Sequence, residues 1–298
     1  MYTQFFGNYL LDRNAVTQQQ LFDAMQKQSS ARMKLGTLAM HAGYMTATEV
    51  DNVVIQQTHK DQKFGELAVD MGYLTNEQVM ELLKSQSPDF LLLGQILVED
   101  GVLTNSDLET LMTDYRSDNE MIELDMTADN HEIIQRLLTK FFVTSEIPPS
   151  RFGVMFVELL FNNFVRFVGE DFTILNCVEC DAYPVECCVK QSVLGDYSIT
   201  SYLSMEEATA IEFASRYAGE SFEAFDEYVQ AAMEDFLNLH NGLFIVNVSN
   251  ESSIELSISA PEVVDGPIID FTDRTYLFPV LYSFGNVHFI FEIHKIVD

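Results

Sequence analysis

Four glycines recur every 29 residues: Gly7, Gly36, Gly65 and Gly94. Two further columns keep the same phase. Thr17, Thr46, Thr75 and Thr104 form one, and Leu21, Val50, Val79 and Leu108 form the other. Three columns in register over four copies make residues 1–115 a tandem array. One copy is too short to bury its own apolar face, so the copies must stack on each other. Everything after the array is a different domain.

The second copy shows the logic of the repeat. An apolar-periodic segment runs from Leu35 to Ala42 and stops at Gly43, where a positive φ is expected. Gly72 and Gly101 occupy the same column, and in the first copy Asn14, which tolerates that conformation best after glycine. Tyr44 and Met45 follow. Thr46-x-x-Glu49 then reads as a capping box, repeated as Thr17-x-x-Gln20 and Thr75-x-x-Gln78, with a shorter form at Thr104-x-x-Asp107. The second helix of each copy carries apolar residues four apart, Val50 and Val54, then Val79 and Leu83.

This pattern resembles the N-terminal nucleotide-binding domain of MshE-type secretion ATPases and the related GspE N-terminal domain. In that family two copies hold one cyclic di-GMP. The resemblance implies a second and third copy as the best pair, with Lys34, Gly36, Gly43, Gln57, Lys63, Gly65, Gly72 and Gln86 on the family's motif positions. The fourth copy has Tyr115 where the final Gln is expected. The family's leading Arg is replaced by Phe5, Lys34, Lys63 and Leu92. Lysine keeps the charge but lacks the planar fork that grips phosphate and stacks on a base. A helical docking module without nucleotide remains the alternative.

The chain has 298 residues, with 16 basic and 46 acidic ones, a formal net charge of −30. Such a surface repels nucleic acid and anionic membrane. No apolar run is long enough to span a bilayer, and the first residues do not read as a signal, so a cytoplasmic protein is expected. Cys177, Cys180, Cys187 and Cys188 cluster in a segment of strand character. Adjacent Cys187 and Cys188 would face opposite ways in a strand, and no histidine is near, so they read as buried reduced thiols rather than a zinc site. His288, His294 and Glu292 share a strand face, but the two histidines are too far apart to share a metal, and they read as solvent-facing. No metal ligand set is assigned.

Beyond the array, residues 116–130 read as an acidic linker and 131–298 as an α+β domain. Helices are expected over 131–142, 152–168, 204–219 (opened by a Ser204-x-x-Glu207 cap) and 225–241. Strands are expected over 172–178, 185–193, 197–203, 243–248, 254–258, 276–283 and 287–293. In the last helix Phe225, Val229, Ala232 and Phe236 form the core stripe. Ala231, Asp235 and Asn238 fall on another stripe, away from the core. An acid and an amide presented together on a rigid helix can orient a water or bind a partner's polar groups.

The stretch DEYVQAAMEDFLNLHNG, Asp226 to Gly242, resembles the signature helix of the CheC/CheX phosphatases, which hydrolyse the aspartyl-phosphate of chemotaxis response regulators. The family pattern is Ser or Asp, three residues, Glu, two residues, Asn, 22 residues, Pro. Asn238 and Pro261 keep that spacing. Ala231 stands where the family has Ser or Asp, and Asp235 where it has Glu. The resemblance implies that Asn238 aligns the attacking water, that Asp235 contacts a lysine of the regulator, and that Mg²⁺ is held by the regulator rather than by this chain. Asp235 is one methylene shorter than Glu, so its reach is reduced. Family members pair through their sheets, which makes a homodimer an expectation.

The sequence thus predicts an all-α repeat array followed by a CheC/CheX-like antiparallel sheet with packed helices. Two functions stay open. One is hydrolysis of a phosphorylated receiver. The other is a non-catalytic signalling adaptor, whose repeats bind cyclic di-GMP or a secretion, pilus or chemotaxis partner.

Overall fold

The computed structural model describes residues 5–28, 30–85, 89–123, 138, 151–252 and 254–295. The described residues fall into two compact units, one over 5–123 and the other over 138–295.

The described residues of the first unit form eight helices, two per copy: α1 (Phe6–Asp12) and α2 (Gln18–Gln28), α3 (Leu35–His41) and α4 (Ala47–Gln57), α5 (Phe64–Asp70) and α6 (Asn76–Lys84), α7 (Asp89–Glu99) and α8 (Asn105–Glu123). Every turn inside a copy is left-handed where expected: φ is +53° at Asn14, +71° at Gly43, +75° at Gly72 and +70° at Gly101. The four threonines cap as expected. Thr46 accepts from the Glu49 amide while the Glu49 carboxylate takes the Thr46 amide at 2.7 Å. Thr17, Thr75 and Thr104 repeat that exchange with Gln20, Gln78 and Asp107. The other two columns meet each other. A Cβ on Gly36 would lie 2.9 Å from Val50 Cγ1, and one on Gly94 would lie 2.5 Å from Leu108 Cδ1. Glycine is needed there because the paired helices touch through it.

Three details differ from the sequence reading. The core face of the second helices uses Val53 and Leu82, one residue earlier than expected, while Val54 and Leu83 are exposed. Spacings of three and four both mark one helical face, and packing chose the first. The array also closes: Phe6 of the first copy packs on Phe90 and Tyr115 of the fourth, at centroid distances of 5.0 and 5.1 Å. Tyr115, which replaces the repeat's final Gln, is 3% exposed in that cluster. Finally, α8 continues to Glu123, eight residues into the segment read as linker. The helix expected over 131–142 lies outside the described residues, Leu138 apart.

The second unit is an antiparallel sheet between layers. Its strands are β1 (Phe172–Ile174), β2 (Val178–Glu179), β3 (Ala182–Pro184), β4 (Cys187–Leu194), β5 (Ser198–Met205), β6 (Ser257–Ile258), β7 (Glu262–Val263), β8 (Ile268–Asp270), β9 (Arg274–Tyr282) and β10 (Gly285–Lys295). The main order is β1-β9-β10-β5-β4-β6, with β2 on β9 and β7 on β4; β3 and β8 form a separate pair. Among the described residues this unit has the helices α9 (Arg151–Phe167), α10 (Glu207–Ala218) and α11 (Glu227–Ser252). Phe156 of α9 contacts Phe244 of α11 and Phe289 and Phe291 of β10. Burying such a ring stabilises the fold by about 1.5–3 kcal/mol. On the opposite face of the sheet, Tyr183, Cys188, Tyr202 and Ile290 pack with Ile269 and Phe271.

That second layer corrects the reading of the histidines. His288 is not solvent-facing: its Nδ1 lies 2.5 Å from the Tyr183 hydroxyl, and burial lowers its pKa. The four cysteines are free, but only Cys177 and Cys188 are buried; Cys180 and Cys187 are partly exposed. Ser204 caps nothing, since it lies in β5 opposite His288 and Cys188, and α10 starts after Glu206 with no side-chain cap. The strand expected over 243–248 is helix. Its apolar run suits either period, but His240, Asn241, Phe244 and Val248 are the buried positions, which is helical spacing.

Candidate functional site

The helix α11 begins at Glu227, two residues later than expected, and Phe225 lies before it, half-buried. The carboxylate of Asp226 accepts from the amides of Tyr228 and Val229, at 3.0 and 3.1 Å, and so fixes where the helix starts. Val229, Ala232 and Phe236 face the core. Ala231, Asp235 and Asn238 are exposed, on the stripe expected from their spacing.

Neither polar group on that stripe is loose. Asp235 Oδ2 accepts from the Tyr217 hydroxyl of α10 at 2.7 Å. Burial raises the Tyr217 pKa and the carboxylate raises it further, so its proton stays on the phenol. Asn238 Oδ1 accepts from Gln191 Nε2 at 2.8 Å. Gln191 is 1% exposed and sits on the core-facing side of β4, between Val189 and Val193. The same Nε2 donates to the Ser259 carbonyl at 2.8 Å. Gln191 Oε1 accepts from Asn241 Nδ2 at 2.9 Å, and Asn241 Oδ1 accepts from Ser201 Oγ at 3.1 Å. Asn238 is thereby tied, through one buried glutamine, to the segment that leads into Pro261. The structure thus brings Asn238 and the Pro261 segment together, with Asp235 one turn away on the same helix. Ala231 has no polar group to contribute.

Sequence reasoning missed Gln191, Asn241 and Tyr217. The signal for the first was there: a polar residue alternating with Val189 and Val193 at a core-facing strand position needs a partner. Tyr217 gave no signal, because only the crossing of α10 and α11 sets it beside Asp235.

On the far face of the sheet, Asp273, Glu292 and His294 also converge. His294 Nδ1 pairs with Asp273 Oδ2 at 2.7 Å and Nε2 with the Thr200 hydroxyl at 2.8 Å. Glu292 accepts from Tyr202 and from the amides of Thr272 and Asp273. These bonds lash the turn before β9 to β10. The sequence offered His294 and Glu292, but Asp273 joins them only through the pairing of Arg274 with Ile293.

In the first unit, Lys34 and Lys63 precede α3 and α5 as their N-cap residues. Lys34 Nζ pairs with Glu99 of the fourth copy at 2.9 Å, and its amide donates to Gln95 Oε1 at 2.6 Å. Gln57 Nε2 donates to the Gln62 carbonyl at 3.2 Å. Gly36 and Gly65 lie inside helices at the close contacts, and Gly43 and Gly72 in the left-handed turns. Gln86 lies outside the described residues.

Residues 187–284 match the family model of the chemotaxis phosphatase CheX. The C-terminal unit therefore contains a CheX-like domain, and the matched stretch includes Gln191, Tyr217, Asp235, Asn238 and Pro261. No curated protein matches the chain. Among solved structures, a chemotaxis protein CheX from Desulfovibrio desulfuricans is 13% identical, covering 49% of this chain and 100% of that one, with a TM-score of 0.43. A CheC-like superfamily protein from Shewanella sp. PV-4 is 15% identical over 50% and 100%, also at 0.43. A CheX–CheY–BeF3–Mg²⁺ complex from Borrelia burgdorferi is 15% identical over 47% and 96%, at 0.37. Among the described residues, no helix is long and apolar enough to cross a membrane.

Proposed function

We propose that the CheX-like domain hydrolyses the aspartyl-phosphate of a response-regulator receiver, with Asn238 as the group that orients water and Asp235 as a contact to the partner. The observation that carries this reading is the exposure of Asn238 on a rigid helix with its amide oxygen already anchored. A side chain fixed before the partner arrives has little orientational freedom left to lose when it does. In the reaction, the water oxygen bonds to phosphorus, and the bond from phosphorus to the aspartyl oxygen breaks with its electron pair left on the carboxylate. Water's protons remain with the phosphate, giving a carboxylate and H₂PO₄⁻. Mg²⁺ is the receiver's own in this reading.

Asp235 is held sideways by Tyr217. It offers a carboxylate at a fixed place, though a shorter one than the family's glutamate. The net charge of −30 suits a partner with a basic rim around its phosphorylation site.

The test adds the full chain to each phosphorylated receiver of its host and compares it with Asn238→Ala. Faster loss of phosphate from one receiver, abolished in the variant, is the expected result. No acceleration on any receiver overturns the reading. Asp235→Glu added to the same panel raises the rate if the shorter side chain limits partner contact.

A further inference from the structure

The network around Gln191 settles which end of the Asn238 amide meets a partner. A backbone carbonyl can only accept, so the Gln191 atom 2.8 Å from the Ser259 oxygen is its nitrogen. The Gln191 oxygen then lies toward Asn241, which meets it with Nδ2 at 2.9 Å and turns its own oxygen to the Ser201 hydroxyl. Gln191 has one N–H left, and it points at Asn238. Asn238 meets it with Oδ1, at 2.8 Å. The Nδ2 group is what remains for the outside. A flip of Asn238 would set two NH₂ groups against each other, and a flip of Gln191 would set its oxygen against the Ser259 carbonyl. Each arrangement strands a buried polar group, at about 1–3 kcal/mol.

We propose that Gln191 is a positioning residue that locks Asn238 with its NH₂ outward, so that Asn238 acts on the attacking water or a phosphoryl oxygen as a hydrogen-bond donor. This rests on the phosphatase reading above. A water that accepts from Nδ2 with one lone pair keeps the other for phosphorus, and its two protons point to acceptors on the phosphorylated receiver. The donor also stabilises negative charge on the phosphoryl oxygens, which an outward carbonyl oxygen would repel. Asn238 is the catalytic group here; Gln191 acts through it.

Two variants and one spectroscopic observation test this on the full chain. Gln191→Met keeps the length and removes both polar ends. Asn238→Asp still accepts from Gln191 but presents an oxygen outward. With the receiver that responds in the panel, Gln191→Met is expected to lower kcat about 10²-fold with KM nearly unchanged, since a misplacement of about 1 Å costs that much. Asn238→Asp is expected to be as inactive as Asn238→Ala. In ¹⁵N spectra of the unmodified protein, the Gln191 side-chain NH₂ should exchange slowly with water and that of Asn238 quickly. Protected Asn238 NH₂ protons, wild-type kcat in a folded Gln191→Met, or retained activity in Asn238→Asp would each overturn the proposal. If instead Asn238→Ala is itself fully active, the phosphatase role of Asn238 fails, and the exchange measurement still reports on the orientation.

Discussion

The two units are secured by opposite kinds of contact. In the repeat unit each copy carries its own left-handed turn and a threonine cap three residues from its partner, and the last three copies set a glycine against an apolar residue of the next helix. The turn and the cap are used four times. In the sheet unit the deciding contacts are unique and distant. Tyr202 reaches Glu292 across 90 residues of chain, and Gln191 reaches Asn238 across 47. Repetition allows one copy to drift, as the Tyr115 cluster shows, because its neighbours hold the frame. A single-copy network has no spare parts, so its polar members must all be satisfied at once. That is where the candidate site lies.

The largest effect should come from the core of the sheet unit. Phe156 is 2% exposed and touches rings on α11 and β10. Phe156→Ala should cost about 3–5 kcal/mol, through lost burial and the cavity left behind. Amide exchange should show the loss shared by β4, β5 and β10 together, since the sheet has no independent subunits. Protection lost only near α9 would break the contrast, because the sheet unit would then be as modular as the repeats.

A buried titratable group gives the next effect. His240 is fully buried, with Nδ1 3.3 Å from Asn163 Nδ2, and burial lowers its pKa from 6.5 to about 3. The unfolded chain therefore binds more protons than the folded one between those values. The stability it supports is intact above about pH 6.5 and is lost as pH falls toward 3. Against His240→Gln, the wild type should lose about 1.4 kcal/mol of relative stability per pH unit in that window. Urea unfolding at several pH values measures the difference. Parallel curves would mean that His240 protonates freely, and so that the core admits water. In the repeat unit His41 has a lowered pKa too, by burial first and then by Arg116, but it is only partly buried.

The same contrast explains what could be read from the sequence. The turns at Gly43, Gly72 and Gly101 and the four caps were legible because each is decided within a few residues. So was the outward stripe of Ala231, Asp235 and Asn238, which needs only the helical period. What failed was decided by distant partners. Ser204 looked like a cap because a nearby glutamate fits the motif, yet strand pairing with His288 claimed it. The run after Gly242 has the composition of a strand, yet packing under α9 kept it helical. The role of Gln191 depends on Ser201, Asn241 and Ser259 at once, and no local pattern joins those three.

Two glycines allow a last and smaller test. Gly43 sits at φ +71° with nothing within 4 Å of an added Cβ. Space is free there, but the backbone is not one an alanine adopts readily, so Gly43→Ala should destabilise the repeat unit by about 1 kcal/mol. Gly242 also has nothing within 4 Å of its Cβ position, but it lies inside α11 without a positive φ. Helix propensity alone then favours alanine, and Gly242→Ala should stabilise the sheet unit by about 0.5–1 kcal/mol. The local code thus accounts for Gly43 and not for Gly242. Gly242 lies one turn beyond Asn238, so an added methyl would stand in the way of a receiver docked over Asn238 as proposed. Thermal melts of both variants, together with the receiver dephosphorylation rate for the second, separate the two cases. A stabilised Gly242→Ala with a higher KM would show that this glycine clears room for the partner. A stabilised variant with unchanged kinetics would place the docking surface on the other side of Asn238, toward Asp235 and Tyr217.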